Sequence, residues 1–147
     1  MPLRLDNKAV LVVNIGAMAS YERFFSKDKF SIKIVQAAYS DCVSKFGGFT
    51  HLGFRGVIFK TKRHLLNGGI GPAFVYRRSW YEIPGYQNLK YFKGENDDTW
   101  QYKFLWYGGE FEYNYKWNEK SDFSLTFIPG YPKLMSLSAG FRYWIKS

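Results

Sequence analysis

Apolar and polar residues alternate with a period of two along most of this 147-residue chain, and that pattern leaves few folds open. Successive side chains of a strand point to opposite faces, so such alternation predicts strands with two unlike faces. In the first segment Leu11, Val13, Ile15, Ala17, Ala19 and Tyr21 share one side, against Asn14, Gly16, Met18, Ser20 and Glu22. In the second, Phe30, Ile32, Ile34 and Ala38 oppose Ser31, Lys33, Val35 and Ala37. The third sets Leu52, Phe54 and Ile58 against His51, Gly53, Arg55 and Val57. The fourth sets Leu66, Ile70, Phe74 and Tyr76 against Asn67, Gly69, Gly71, Ala73 and Arg77.

A fifth segment, Trp100 to Trp117, changes phase near Gly108-Gly109. A β-bulge there would absorb one residue; a hairpin turn at the two glycines is the rival reading. Beyond it Phe111, Tyr113, Tyr115 and Trp117 oppose Glu110, Glu112, Asn114 and Lys116. Two further segments follow: Phe123, Leu125 and Phe127 against Ser124, Thr126 and Gly130, then Leu137, Ala139, Phe141, Tyr143 and Ile145 against Ser136, Ser138, Gly140 and Arg142. Aromatics form 21% of the chain, well above ordinary usage, and favour strands over helices. Residues 1–147 therefore read as one all-β domain with seven visible strands. No run approaches the roughly 20 apolar residues of a membrane helix.

Alternation does not say which face is inside. In a soluble barrel the apolar face points inward; in a membrane barrel the arrangement is inverted. Three features favour inversion. The polar face carries very small residues, among them Gly16, Ser20, Gly53, Gly69, Gly71, Ala73, Ser136, Ser138 and Gly140, which a narrow interior needs and a solvent face does not. The same face holds charges of both signs near mid-strand, namely Lys33, Arg55, Arg77 and Arg142 with Glu22, Glu110 and Glu112. Buried charges persist only when paired, so these seven are expected to form an ion-pair network in the lumen. A four-residue loop at Ser26 to Lys29 would set Glu22 directly opposite Lys33 and allow a cross-strand pair. Finally, the apolar face carries aromatics towards strand ends: Tyr21, Phe30, Tyr76, Tyr107, Trp117, Phe123 and Tyr143. Girdles of this kind mark the two interfaces of an outer-membrane barrel.

Ser20-Tyr21-Glu22-Arg23-Phe24, Gly68-Gly69-Ile70-Gly71-Pro72, Gly109-Glu110-Phe111-Glu112-Tyr113 and the closing Ala139-Gly140-Phe141-Arg142-Tyr143-Trp144 give the chain a further likeness. It resembles the outer-membrane β-barrel superfamily of small porin-like and outer-membrane-protein-A-like domains over nearly its whole length. The resemblance implies an antiparallel up-and-down transmembrane barrel of about eight strands in a Gram-negative outer membrane. Short connections at Ser26, Thr61 and Asn118 alternate with long ones at Asp41 to Phe49 and Ser79 to Thr99. Long loops placed outside put the C-terminus in the periplasm, and make the first visible strand run downward. The simplest resolution is that a signal peptide and one N-terminal strand are missing here. Splitting the fifth segment at Gly108-Gly109 is the alternative route to eight.

No catalytic set stands out. A lipid A deacylase would place a His-x-Ser pair towards lipid, but His51 is followed by Leu52-Gly53, and its parity points it inward. His64 falls in a turn, and Ser40-Asp41-Cys42 reads as turn chemistry. Cys42 is the sole cysteine, and no metal cluster or cofactor fingerprint is found, so none is expected. The net charge of +9 comes from dispersed residues without a base-reading motif, which argues against nucleic acid. Trp80, Tyr81, Tyr86, Lys90, Tyr91 and Lys93 offer a loop contact surface for lipopolysaccharide or a protein partner; a self-packed loop is the equal alternative.

Three functions follow: a structural or interaction barrel with a plugged polar lumen, a lipid A-modifying outer-membrane enzyme, or a soluble lipocalin-like carrier. A narrow pore is disfavoured by the crowd of Arg and Glu.

Overall fold

The computed structural model describes residues 2–5, 11–13, 15–25, 29–40, 44–79, 100–130 and 134–145. They form nine strands: β1 (Pro2–Leu5), β2 (Leu11–Val13), β3 (Ile15–Phe25), β4 (Phe30–Ser40), β5 (Phe46–Lys60), β6 (His64–Arg78), β7 (Trp100–Lys116), β8 (Ser121–Gly130) and β9 (Leu134–Tyr143). The long strands β3 to β9 form an antiparallel meander, each paired with the next in the chain. The sheet order is β2-β1-β9-β8-β7-β6-β5-β4-β3. Only one residue separates β2 from β3, so a single stretch of chain supplies both ends of the sheet. The sheet thereby curls into a nearly closed all-β barrel.

Local chemistry sets the turns. At the β5–β6 hairpin the Thr61 amide donates to the His64 carbonyl at 2.8 Å, and the Thr61 hydroxyl accepts from the His64 amide at 3.1 Å. At the β7–β8 hairpin the Asn118 side-chain carbonyl accepts from the Lys120 amide at 2.8 Å. Such side-chain bonds to nearby backbone are what make Thr and Asn effective turn residues.

The phase change in the fifth segment is a bulge within one continuous strand. Pairing of β6 with β7 shifts between Gly71 and Ala73, whose partners are Gly108 and Leu105. Trp106 and Tyr107 consequently both face outward, at 80% and 68% exposure. The hairpin reading is overturned, because Gly108 and Gly109 lie inside a ladder that continues on either side. A second irregularity, between Val57 and Phe59 of β5, puts Ile58 and Phe59 together on the outer face.

One expectation needs correction. The connection after Ser40 is short, because β5 begins at Phe46; the alternating Gly47-Phe49-His51 positions extend the strand five residues ahead of where periodicity first becomes clear. The seven expected strands are the seven long ones, β3 to β9, and a short N-terminal hairpin of β1 and β2 adds to them. Strand β1 lies between β2 and β9, antiparallel to both, but contacts only the first residues of β9.

Burial follows the inverted pattern. Among the described residues fourteen polar or charged side chains are buried against six apolar ones, while Phe141, Trp106 and Ile15 are each nearly 80% exposed. Arg55 and Glu112 are buried; Leu137, Phe141 and Tyr113 face out. Glycine makes the interior narrow enough to fill. A Cβ on Gly53 would lie 2.7 Å from the Glu110 carboxylate, and one on Gly71 would lie 1.7 Å from the Leu52 carbonyl oxygen.

Candidate functional site

The inward positions of five strands bring six charged side chains to one level of the barrel: Glu22 from β3, Lys33 from β4, Arg55 from β5, Glu110 and Glu112 from β7, and Arg142 from β9. Register fixes the neighbours. Glu22 lies opposite Lys33, as the four-residue loop between Phe25 and Phe30 requires, and Arg55 lies opposite both Ser31 and Gly69. Curvature of the sheet then sets the contacts across the interior.

Glu112 is the hub. It takes Lys33 Nζ and Arg142 Nη2 in close ion pairs and Arg55 Nη2 at 3.2 Å. It also accepts hydrogen bonds from Asn114 Nδ2 at 2.9 Å and Thr126 Oγ1 at 3.0 Å. Glu110 accepts from Lys33 Nζ at 2.7 Å, with Arg55 Nη1 at 3.9 Å. Glu22 binds Arg55 Nη1 at 2.9 Å and Arg142 Nη2 at 2.6 Å, and the Ser31 hydroxyl donates to it. Three carboxylates meet three cations, so the cluster is neutral in sum. Glu22 and Glu112 each have several donors, the condition under which buried charges are tolerated. Glu110 accepts a single hydrogen bond, from Lys33, and its Oε2 is buried without one.

The expected cross-strand pair between Glu22 and Lys33 is replaced by other partners. The two are ladder neighbours, yet Lys33 reaches across the lumen to Glu110 and Glu112, and Glu22 takes the two arginines. Arg77 is not brought to this cluster. It is buried, but it lies eight residues along β6 from Gly69, roughly 26 Å of strand. There it donates to Gln101 Oε1 directly opposite, at 3.2 and 3.3 Å. Parity gives the face of a side chain but not its height in the barrel. The proposed loop surface of Trp80, Tyr81, Tyr86, Lys90, Tyr91 and Lys93 lies outside the described residues, as does Cys42.

Sequence reasoning missed the polar residues that complete the cluster. Ser31, Asn114 and Thr126 share the inward parity of the ions, so their position was legible, though their role as donors was not. It also missed Asp122, buried beneath β9, whose carboxylate accepts the Trp144 indole N–H at 2.7 Å.

His51 is fully buried, with Nε2 3.6 Å from Glu110 Oε2. It sits between the ion cluster and an apolar half of the interior made by Val35, Ala37, Phe49, Val75 and Ile128, flanked by Met18, Tyr39 and Leu105. Its burial keeps it from the outer face of the barrel. His64 is exposed, its Nδ1 2.6 Å from the Tyr113 hydroxyl. Among the described residues no three His, Cys, Asp or Glu side chains are arranged to hold a metal ion. Glu110 and Glu112 share a face, but both are engaged with cations, so the arrangement suits a fixed cross-brace more than proton transfer. Comparison with protein-family models, curated proteins and solved structures finds no match for this chain.

Proposed function

We propose that this chain is an integral outer-membrane β-barrel protein of structural or interaction type, with a plugged polar lumen and loops as its contact surface. The supporting observation is the inversion of burial. A neutral set of ions is buried in the interior, while Ile15, Phe54, Ile70, Trp106, Phe111, Phe141 and other large apolar side chains are exposed around the outside. Monomeric soluble proteins rarely expose contiguous apolar patches beyond a few hundred Å², whereas a lipid-facing barrel requires an apolar band. Among the described residues no helix is long and apolar enough to cross a membrane. Strands of an antiparallel barrel satisfy their backbone groups within the sheet, as β4 to β8 do here between two neighbours each.

The plug follows from the cross-brace, whose contacts run from β3 and β9 through β7 to β4 and β5. A lipocalin-like carrier would instead keep an apolar cavity. The experiment is refolding into phospholipid vesicles with Trp106 as the only tryptophan. Brominated acyl chains should quench its fluorescence, the unheated protein should shift on gels, and planar bilayers should show no steady conductance. A monomer that stays soluble without detergent and escapes quenching would sink the membrane assignment; large stable channels would sink the plug.

A further inference from the structure

The end of the barrel that carries the turns at 61–63 and 117–120 is strongly basic. Lys60, Lys62 and Arg63 come from the β5–β6 hairpin, Lys116 and Lys120 from the β7–β8 hairpin, and Lys29 from the residue before β4; all six are exposed. Backbone hydrogen bonds fasten these pieces to their neighbours. The Lys116 amide donates to the Arg63 carbonyl at 2.8 Å, the Trp144 amide to the Lys120 carbonyl at 2.8 Å, and the Val57 amide to the Lys29 carbonyl at 3.1 Å. The cations therefore stand on a stitched rim and not on separate loops. Among the described residues of this end Glu119 is the one exposed carboxylate, since Asp122 is buried and accepts the Trp144 indole N–H. None of the six cations has an ion-pair partner among the described residues. The lumen ions cancel one another, so this rim holds much of the chain's net charge of +9.

The outer face changes character on the way to this rim. Along β5 it passes from Phe54 to Ile58 and Phe59 and then to Lys60; along β7 it passes from Phe111 and Tyr113 to Lys116 and Trp117. Trp117 and Tyr143 are 71% and 67% exposed, and the Tyr113 hydroxyl lies 2.6 Å from His64 Nδ1. Apolar band, then amphipathic rings, then cations is the order met on leaving a bilayer. Trp and Tyr sit at headgroup level, and lysine stems lie along apolar surface while their ammonium groups reach the phosphates. A nucleic acid or an acidic protein accounts for the cations alone and asks for no apolar band beneath them. Five of the six are lysines, point charges on flexible stems that suit mobile phosphates, whereas a fixed bidentate acceptor favours the arginine fork. The turns are short, so they hold their charge near the headgroup phosphates and do not project into a saccharide layer.

We infer that this rim is a docking surface for the phosphate groups of anionic phospholipid, and that it seats the barrel in a leaflet enriched in such headgroups. The inference rests on the membrane reading given above and adds to it a lipid class and an end of the barrel. Each lysine or arginine near an anionic surface strengthens association about fivefold, so the preference belongs to the set and not to a single residue.

The test uses the full chain refolded into vesicles of mixed phosphatidylglycerol and phosphatidylcholine, with Trp117 as the only tryptophan in one sample and Trp106 in another. Each lipid carries brominated acyl chains in turn. Both labels should quench Trp106, which reports insertion. At Trp117 brominated phosphatidylglycerol should compete about threefold or more better than brominated phosphatidylcholine. That preference should vanish when Lys62→Gln, Arg63→Gln, Lys116→Gln and Lys120→Gln are combined, with Trp106 still quenched in the same background. It should survive Lys62→Arg, Lys116→Arg and Lys120→Arg, and weaken as salt rises from about 0.05 to 0.5 M. Quenching of Trp106 with equal quenching of Trp117 by the two lipids would overturn the inference and leave the membrane reading standing. A preference that the glutamine variant retains would overturn it too. Absence of quenching at both tryptophans would overturn the inference and the membrane reading together.

Discussion

On one side of His51, towards the turns at 61–63 and 117–120, the barrel holds Glu22, Lys33, Arg55, Glu110, Glu112 and Arg142; on the other it holds Val35, Ala37, Phe49, Val75 and Ile128, with the buried Arg77 and Gln101 beyond them. Both halves occupy the same narrow cross-section, yet they hold together by different physics. Hydrocarbon packing is local and graded: each methylene lost costs its transfer energy plus that of the cavity left behind. An ion cluster is collective. Its members have been taken out of water, so removing one strands the rest, although removing a balanced pair need not. The apolar half should therefore respond to volume and the ionic half to charge balance.

The largest effect should come from Glu112→Leu, which leaves Lys33, Arg55 and Arg142 short of a shared partner. A loss of about 3–5 kcal/mol is expected in urea unfolding from lipid or detergent. A loss below about 1 kcal/mol would mean that the cluster is wet. Phe49→Ala should cost about 3 kcal/mol by its cavity, and Phe49→Leu distinctly less; if the two variants behave alike, packing does not govern that half. The sharper contrast is a double-mutant cycle on Lys33→Met and Glu110→Gln. The pair together removes one charge of each sign, so the double variant should be more stable than additivity allows by about 1–3 kcal/mol. Simple additivity would break the collective reading. Smallest is the effect of salt. Raising ionic strength from about 0.05 to 0.5 M should change stability by less than about 0.5 kcal/mol, because buried pairs are screened far less than exposed ones.

The faces of the strands were legible because period two is a direct property of an extended backbone. Leu52, Phe54 and Ile70 point out, and His51, Arg55 and Asn67 point in, as alternation alone requires. The register of Glu22 against Lys33 was legible because loop length fixes it. Who pairs with whom was not. Arg142 reaches Glu22 across 120 residues of sequence, a contact that exists only because the sheet curls round on itself. Arg77 illustrates the same limit, since height along a strand is invisible to parity. The short β1 strand was missed because four residues are too few to display alternation.

The extra residue at Trp106 and Tyr107 works as a phase adjuster between two halves of one strand. It lets β7 offer Gln101 and Leu105 to the interior on one side and Gly108, Glu110, Glu112 and Asn114 on the other. Deleting a single residue there would leave composition and hydropathy almost untouched. Everything from Trp100 to Leu105 would nevertheless turn over, sending Tyr102 and Phe104 inward and Gln101 out. Sequence length at that point is thus as strictly constrained as residue identity is elsewhere.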